Sequence, residues 1–77
     1  MSKNYKLKNG KYIKFDKTDE GFEYSFYEET KKLIDGGIIT TPKFNDMQVL
    51  KEVLKILEIP ENIEFVELNE EIEELYE

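Results

Sequence analysis

Lys11-Tyr12-Ile13-Lys14-Phe15 and Phe22-Glu23-Tyr24-Ser25-Phe26, with Asp16-Lys17-Thr18-Asp19-Glu20-Gly21 between them, decide the fold. Both flanking runs alternate with period two. Ile13 and Phe15 share one face of the first, and Phe22, Tyr24 and Phe26 share one face of the second. The intervening Asp, Thr and Gly residues are turn formers. A β-hairpin is the expected result, with one apolar face that needs a cover. Upstream, Lys6, Lys8, Lys11 and Lys14 read as the solvent face of an N-terminal strand, where lysine discourages edge pairing.

Downstream of the hairpin, Phe26, Tyr27, Thr30, Leu33 and Ile34 fall on one helical face, with Glu28, Glu29, Lys31 and Lys32 opposite. Ser25 and Glu28 match a capping box, and Gly36-Gly37 supply a stop. Phe26 is claimed by strand and helix alike, so segment 26–35 stays open between the two. The expectation taken is strand to about Phe26 and helix over Tyr27–Asp35. Gly37–Thr41 then reads as a short strand ended by Pro42.

Asn45 or Asp46 caps a clear amphipathic helix over Met47–Glu58, stopped before Pro60. Met47, Val49, Leu50, Val53, Leu54, Ile56 and Leu57 cover about half of its circumference, an arc wider than one sheet contact needs. The C-terminal segment is the expected second cover. Ile63–Glu67 reads as a strand, and Asn69 caps a last helix with the stripe Leu68, Ile72, Leu75 and Tyr76. The expected fold is therefore α+β, a small antiparallel sheet starting with a β-hairpin and packed against one main helix. The order is ββαβαβα, within a single compact domain spanning residues 1–77. Phe15, Phe22, Leu50, Leu54, Leu57 and Phe65 are the expected core.

Composition narrows the chemistry. The 77 residues include no His, Cys, Trp, Arg or Ala. No imidazole or thiol is present to act as general base, nucleophile or soft metal ligand. Asp16, Thr18, Glu20 and Gly21 imitate the start of a calcium loop, but the twelfth position, which demands a bidentate Glu, is Tyr27. That stretch reads as a hairpin turn. Paired carboxylates could serve glycoside hydrolysis only inside a pocket that a chain this short hardly encloses. Gly36-Gly37 lacks any phosphate-loop context. The expectation is a non-enzyme with no cofactor and no metal.

Charge is distributed in blocks. Residues 1–17 hold six Lys and one Asp, whereas residues 58–77 hold nine Glu and no base. Such runs are ordinarily solvated faces, but uncompensated carboxylates on this scale are better tolerated when something basic meets them. Tyr5, Lys6, Lys8, Lys11, Tyr12, Lys14 and Phe15 interleave rings and bases as single-strand binding grooves do. A net charge of −7 and the lack of Arg oppose direct nucleic-acid binding.

Lys as the sole base, eight Ile and five Asn are the mark of AT-rich codons, which suggests a bacterium or its phages and mobile elements. No apolar run approaches signal-peptide or membrane-span length, so a cytoplasmic protein of a bacterial or phage-infected cell is expected. This profile of size and composition resembles phage-encoded inhibitors of bacterial defence, anti-CRISPR proteins and other nucleic-acid mimics among them, although no motif carries the resemblance. It equally fits bacterial immunity proteins and antitoxins.

The leading expectation is a non-catalytic, acidic protein-binding inhibitor, monomeric and without membrane contact. Its partner would be a basic, nucleic-acid-binding protein whose groove the carboxylates occupy. Glu61, Glu64, Glu67, Glu70, Glu71, Glu73, Glu74, Tyr76 and Glu77 are the expected partner-binding residues. The alternative is an accessory subunit that docks through the apolar face of helix 47–58.

Overall fold

The hairpin forms where the alternation places it. In the computed structural model, which describes residues 2–40 and 43–73, strands Tyr12–Lys17 (β2) and Phe22–Tyr27 (β3) pair antiparallel with Phe15 opposite Tyr24. Between them Thr18 and Gly21 exchange two main-chain hydrogen bonds, of 2.7 and 3.4 Å, around Asp19 and Glu20. Ser2–Leu7 (β1) pairs with the other side of β2, and Leu33–Ile39 (β4) with the other side of β3. After the helix Asp46–Ile56 (α1), a four-residue strand, Phe65–Leu68 (β5), returns to β1. The sheet order is β4-β3-β2-β1-β5, with every neighbouring pair antiparallel.

The expected order ββαβαβα is thus wrong. Among the described residues four strands precede a single short helix and one strand follows it, so this part of the chain is mostly sheet. The helix expected over Tyr27–Asp35 does not form. Glu28 to Lys32 instead make a three-residue hairpin loop, with Lys31 N–H donating to the Glu28 carbonyl at 2.8 Å and Glu28 N–H to the Lys32 carbonyl at 2.9 Å. Lys31 takes the left-handed conformation that closes such loops (φ 67°). The β1–β2 loop is built identically, with bonds from Gly10 N–H to Leu7 and from Leu7 N–H to Lys11, and Gly10 at the left-handed position (φ 90°).

Gly36 and Gly37 are not a helix stop either. They lie inside β4 because the Tyr24 ring crosses the strand there. A Cβ on Gly37 would fall 2.8 Å from the Tyr24 hydroxyl. A bulge between the pairs Phe26–Asp35 and Tyr27–Leu33 leaves Ile34 as the extra residue.

One sheet face carries Tyr5, Leu7, Ile13, Phe15, Phe22, Tyr24, Phe26 and Ile39, all buried in one cluster with Val49, Leu50, Val53 and Leu54 of α1. Tyr5 stacks on Phe15 at 5.7 Å between centroids, and Phe22 meets Phe15 edge-on at 5.9 Å. Each buried side chain of this kind contributes about 1.5–3 kcal/mol. Of the expected core, Phe15, Phe22, Leu50 and Leu54 are buried, while Leu57 and Phe65 pack partly buried at its rim.

The helix starts at a reciprocal cap: Asn45 Oδ1 accepts from Gln48 N–H, and Gln48 Oε1 accepts from Asn45 N–H, both at 2.9 Å. It ends sooner than expected. Glu58 turns left-handed (φ 59°), and Ile59 N–H reaches back to the Leu54 carbonyl at 2.9 Å in a Schellman closure.

The last helix expected from Asn69 is also absent over residues 69–73, which have no regular structure. Ile72 gives its N–H to Asn4 Oδ1 across the sheet at 3.2 Å rather than to a carbonyl one turn back. The segment thereby crosses the sheet face opposite α1 and does not cover the helix. Met47 and Ile56 are consequently left about half exposed. The strand boundary expected at Thr41-Pro42, and Leu75 and Tyr76 of the expected stripe, lie outside the described residues.

Candidate functional site

Residues on the sheet face opposite α1 follow from the register. Lys6, Tyr12 and Tyr27 form one cross-strand row, and Asn4, Lys14 and Ser25 the next. The ring–lysine stretch read from the sequence is therefore split: Tyr5 and Phe15 enter the core, while Lys6, Tyr12 and Lys14 face away from it. The ammonium groups of Lys6 and Lys31 each lie 5.8 Å from the centre of the Tyr12 ring. Beside them is an open groove of about 430 Å³, lined by Lys6, Tyr12, Lys31, Leu68, Glu70 and Ile72 among others.

Of the acidic C-terminal segment, residues 69–73 lie along this groove as a strap. Ile72 is buried, and Asn4 beneath it is the buried polar side chain that anchors it. Glu71 accepts a hydrogen bond from the Ser2 hydroxyl and lies 4.0 Å from Lys14 Nζ. That hydrogen bond, with the Lys14 charge second, holds the Glu71 carboxyl below its ordinary range. Glu64 pairs with Lys8 at 3.0 Å, and Glu67 with Lys3 at 3.5 Å. Lys3 also reaches Asp46 at the start of α1, at 3.7 Å.

The expected partner-binding residues are thus not gathered on one surface. Glu67 lies on the sheet face that carries α1, whereas Glu71 lies on the other. Glu64, Glu67 and Glu71 are held by lysines of this chain's own N-terminal block. The basic block that the Glu-rich segment calls for is, in part, intramolecular. Glu61, Glu70 and Glu73 are exposed, with no ion pair to a described residue. Glu74, Tyr76 and Glu77 lie outside the described residues.

Sequence reasoning missed the outer edge of β4, which no described strand pairs. Leu33, Ile34 and Ile38 are 47, 44 and 64% exposed. The strand contains no Lys and no Pro, and Asp35 is its one charge. The signal lay in Ile34, Ile38 and Ile39, β-branched residues that favour strand. The opposite edge, β5, is shorter and carries Glu67, with the Lys8–Glu64 and Lys3–Glu67 pairs beside it. Edges guarded in that way resist pairing with another chain, and β4 has few of those guards.

Burial pushes the Tyr5 hydroxyl up to about 12, with Glu67 and Asp46 adding to the effect. Tyr24 is raised as well, by burial first and Asp35 second. Among the described residues no three His, Cys, Asp or Glu side chains are placed to hold a metal ion. Among them, too, no helix is long and apolar enough to cross a membrane. No curated protein and no solved structure matches the chain. One family model does match, over residues 2–77, which takes in the whole sheet, the helix and the strap, and the chain accordingly belongs to the family described as large polyvalent protein-associated domain 16.

Proposed function

We propose that this domain is a non-catalytic protein-binding module that accepts a partner strand along the outer edge of β4, which no described strand pairs. Membership in a family of large polyvalent protein-associated domains suggests a phage or mobile-element context for it. The observation that carries the binding role is the edge itself. Seven residues of strand end the sheet there, with three large aliphatic side chains exposed along them. Strand addition takes its affinity from main-chain hydrogen bonds and its specificity from side chains on alternate faces. A photo-crosslinking residue at Ile38, compared with one at Lys51 on α1, tests this in the host cell. The expected adduct forms from position 38 and maps to an extended segment of the captured protein. Equal labelling from both positions, or none from 38, rejects the reading.

A second reading rests on the exposed carboxylates of Glu70, which lines the groove, and Glu73. In it the acidic segment occupies a nucleic-acid-binding groove on a basic protein and inhibits it. Lys substitution at Glu70, Glu71, Glu73 and Glu74 would then abolish binding at low salt, since such contacts act through steering. Binding at the β4 edge would scarcely respond.

A further inference from the structure

We propose that the strand added to β4 is the β4 of a second copy of this chain, an inference that rests on the binding role assigned to that edge. Beyond the bulge at Ile34, the stretch Asp35–Ile39 pairs regularly with β3, one residue to one residue. It is self-complementary when run antiparallel to itself about a two-fold axis at Gly37. Gly37 then faces Gly37, Gly36 faces Ile38 of the other copy, and Asp35 faces Ile39. The strand's single charge never meets its own image, so the like-charge penalty of direct opposition is avoided. Next to each Ile38 stands Gly36, a residue without a side chain, whose N–H donates to Asp35 Oδ1 at 2.8 Å in the single chain. The bulge lies outside the paired stretch and does not interrupt it.

An isologous contact of this kind closes on itself and generates a dimer rather than a fibre. The axis runs through the sheet, so the two five-stranded sheets become one of ten strands. Both α1 helices lie on one side and both acidic straps on the other. The surface carrying Glu70 and Glu73 is thereby presented twice on the same side, which turns a weak electrostatic contact into a bivalent one.

Sedimentation velocity across a micromolar series, with Ile38→Lys as the variant, tests the dimer. Ile38 is 64% exposed, so the variant should keep the wild-type circular dichroism. The expected result is a wild-type dimer whose dissociation constant rises about tenfold or more in Ile38→Lys. Amide exchange along residues 35–39 should also slow as concentration rises. A wild-type protein that stays monomeric overturns the dimer, as does a dimer untouched by Ile38→Lys whose β4 amides exchange freely. A monomer that still crosslinks from position 38 to another protein refutes the second copy alone and leaves docking at the edge standing. A monomer without that crosslink removes both.

Discussion

Gly10 and Lys31 occupy the same place in two hairpin loops of the same design, so exchanging residue type between them isolates one backbone term. Lys31→Ala and Lys31→Gly both remove the ammonium from the Tyr12 ring, 5.8 Å away, a contact worth about 0.5–1 kcal/mol where exposed. The two variants differ in their backbone energetics. Alanine keeps the left-handed strain of about 1–2 kcal/mol that any Cβ meets at φ 67°. Glycine relieves it but gains freedom in the unfolded chain, worth about 0.4–1 kcal/mol. Lys31→Gly should therefore be more stable than Lys31→Ala by about 0.5–1 kcal/mol. Gly10→Ala reverses the same terms and adds a collision, since its Cβ would fall 2.6 Å from Glu29 Oε1. The glutamate can swing away, so the loss should be about 1 kcal/mol. Urea unfolding followed by circular dichroism resolves these differences, and in a domain of this size 1 kcal/mol moves Tm by about 4–8 °C. If Lys31→Ala equals or exceeds Lys31→Gly in stability, the strain assigned to this loop is not there.

Leu54, 1% exposed at the centre of the α1–sheet contact, should lose about 2–5 kcal/mol on truncation to alanine. That is a large share of the 5–15 kcal/mol typical of whole proteins, and an unchanged urea midpoint would contradict the packing described. Tyr5, with its folded pKa raised to about 12, contributes stability that is fully present below about pH 10 and lost as pH rises through the folded value. Thermal unfolding between those limits should weaken less steeply with pH in Tyr5→Phe than in the wild type, and equal slopes would refute the assignment.

The β2–β3 hairpin and α1 were legible because each writes its period into adjacent residues and marks its ends, with Gly21 at one and Asn45 or Asp46 at the other, of which the structure uses Asn45. β4 was not legible. Glu28-Glu29-Thr30-Lys31-Lys32 contains none of the Gly, Asn or Pro residues that announce a turn, and the left-handed residue is a lysine. Phe26, Tyr27, Thr30, Leu33 and Ile34 fit a helical face as well as they fit a strand. Tertiary pairing with β3 makes the choice, and it is a long-range fact. The strap failed as a helix for a similar reason, since Asn4, 68 positions away, takes the Ile72 amide. The candidate acids were identifiable as a block, but their separation onto two faces depends on the β1–β5 register, which no local pattern encodes.

The contact between Ser2 and Glu71, with Asn4 and Ile72 beside it, has a consequence for the order of assembly. It joins positions 69 apart in sequence, so this clasp between the first strand and the strap closes over nearly all of the described residues. Closing so long a loop costs entropy that neighbouring strands of a hairpin do not incur. The strap should therefore dock last, once the sheet beneath it exists, and fray first when the domain is loosened.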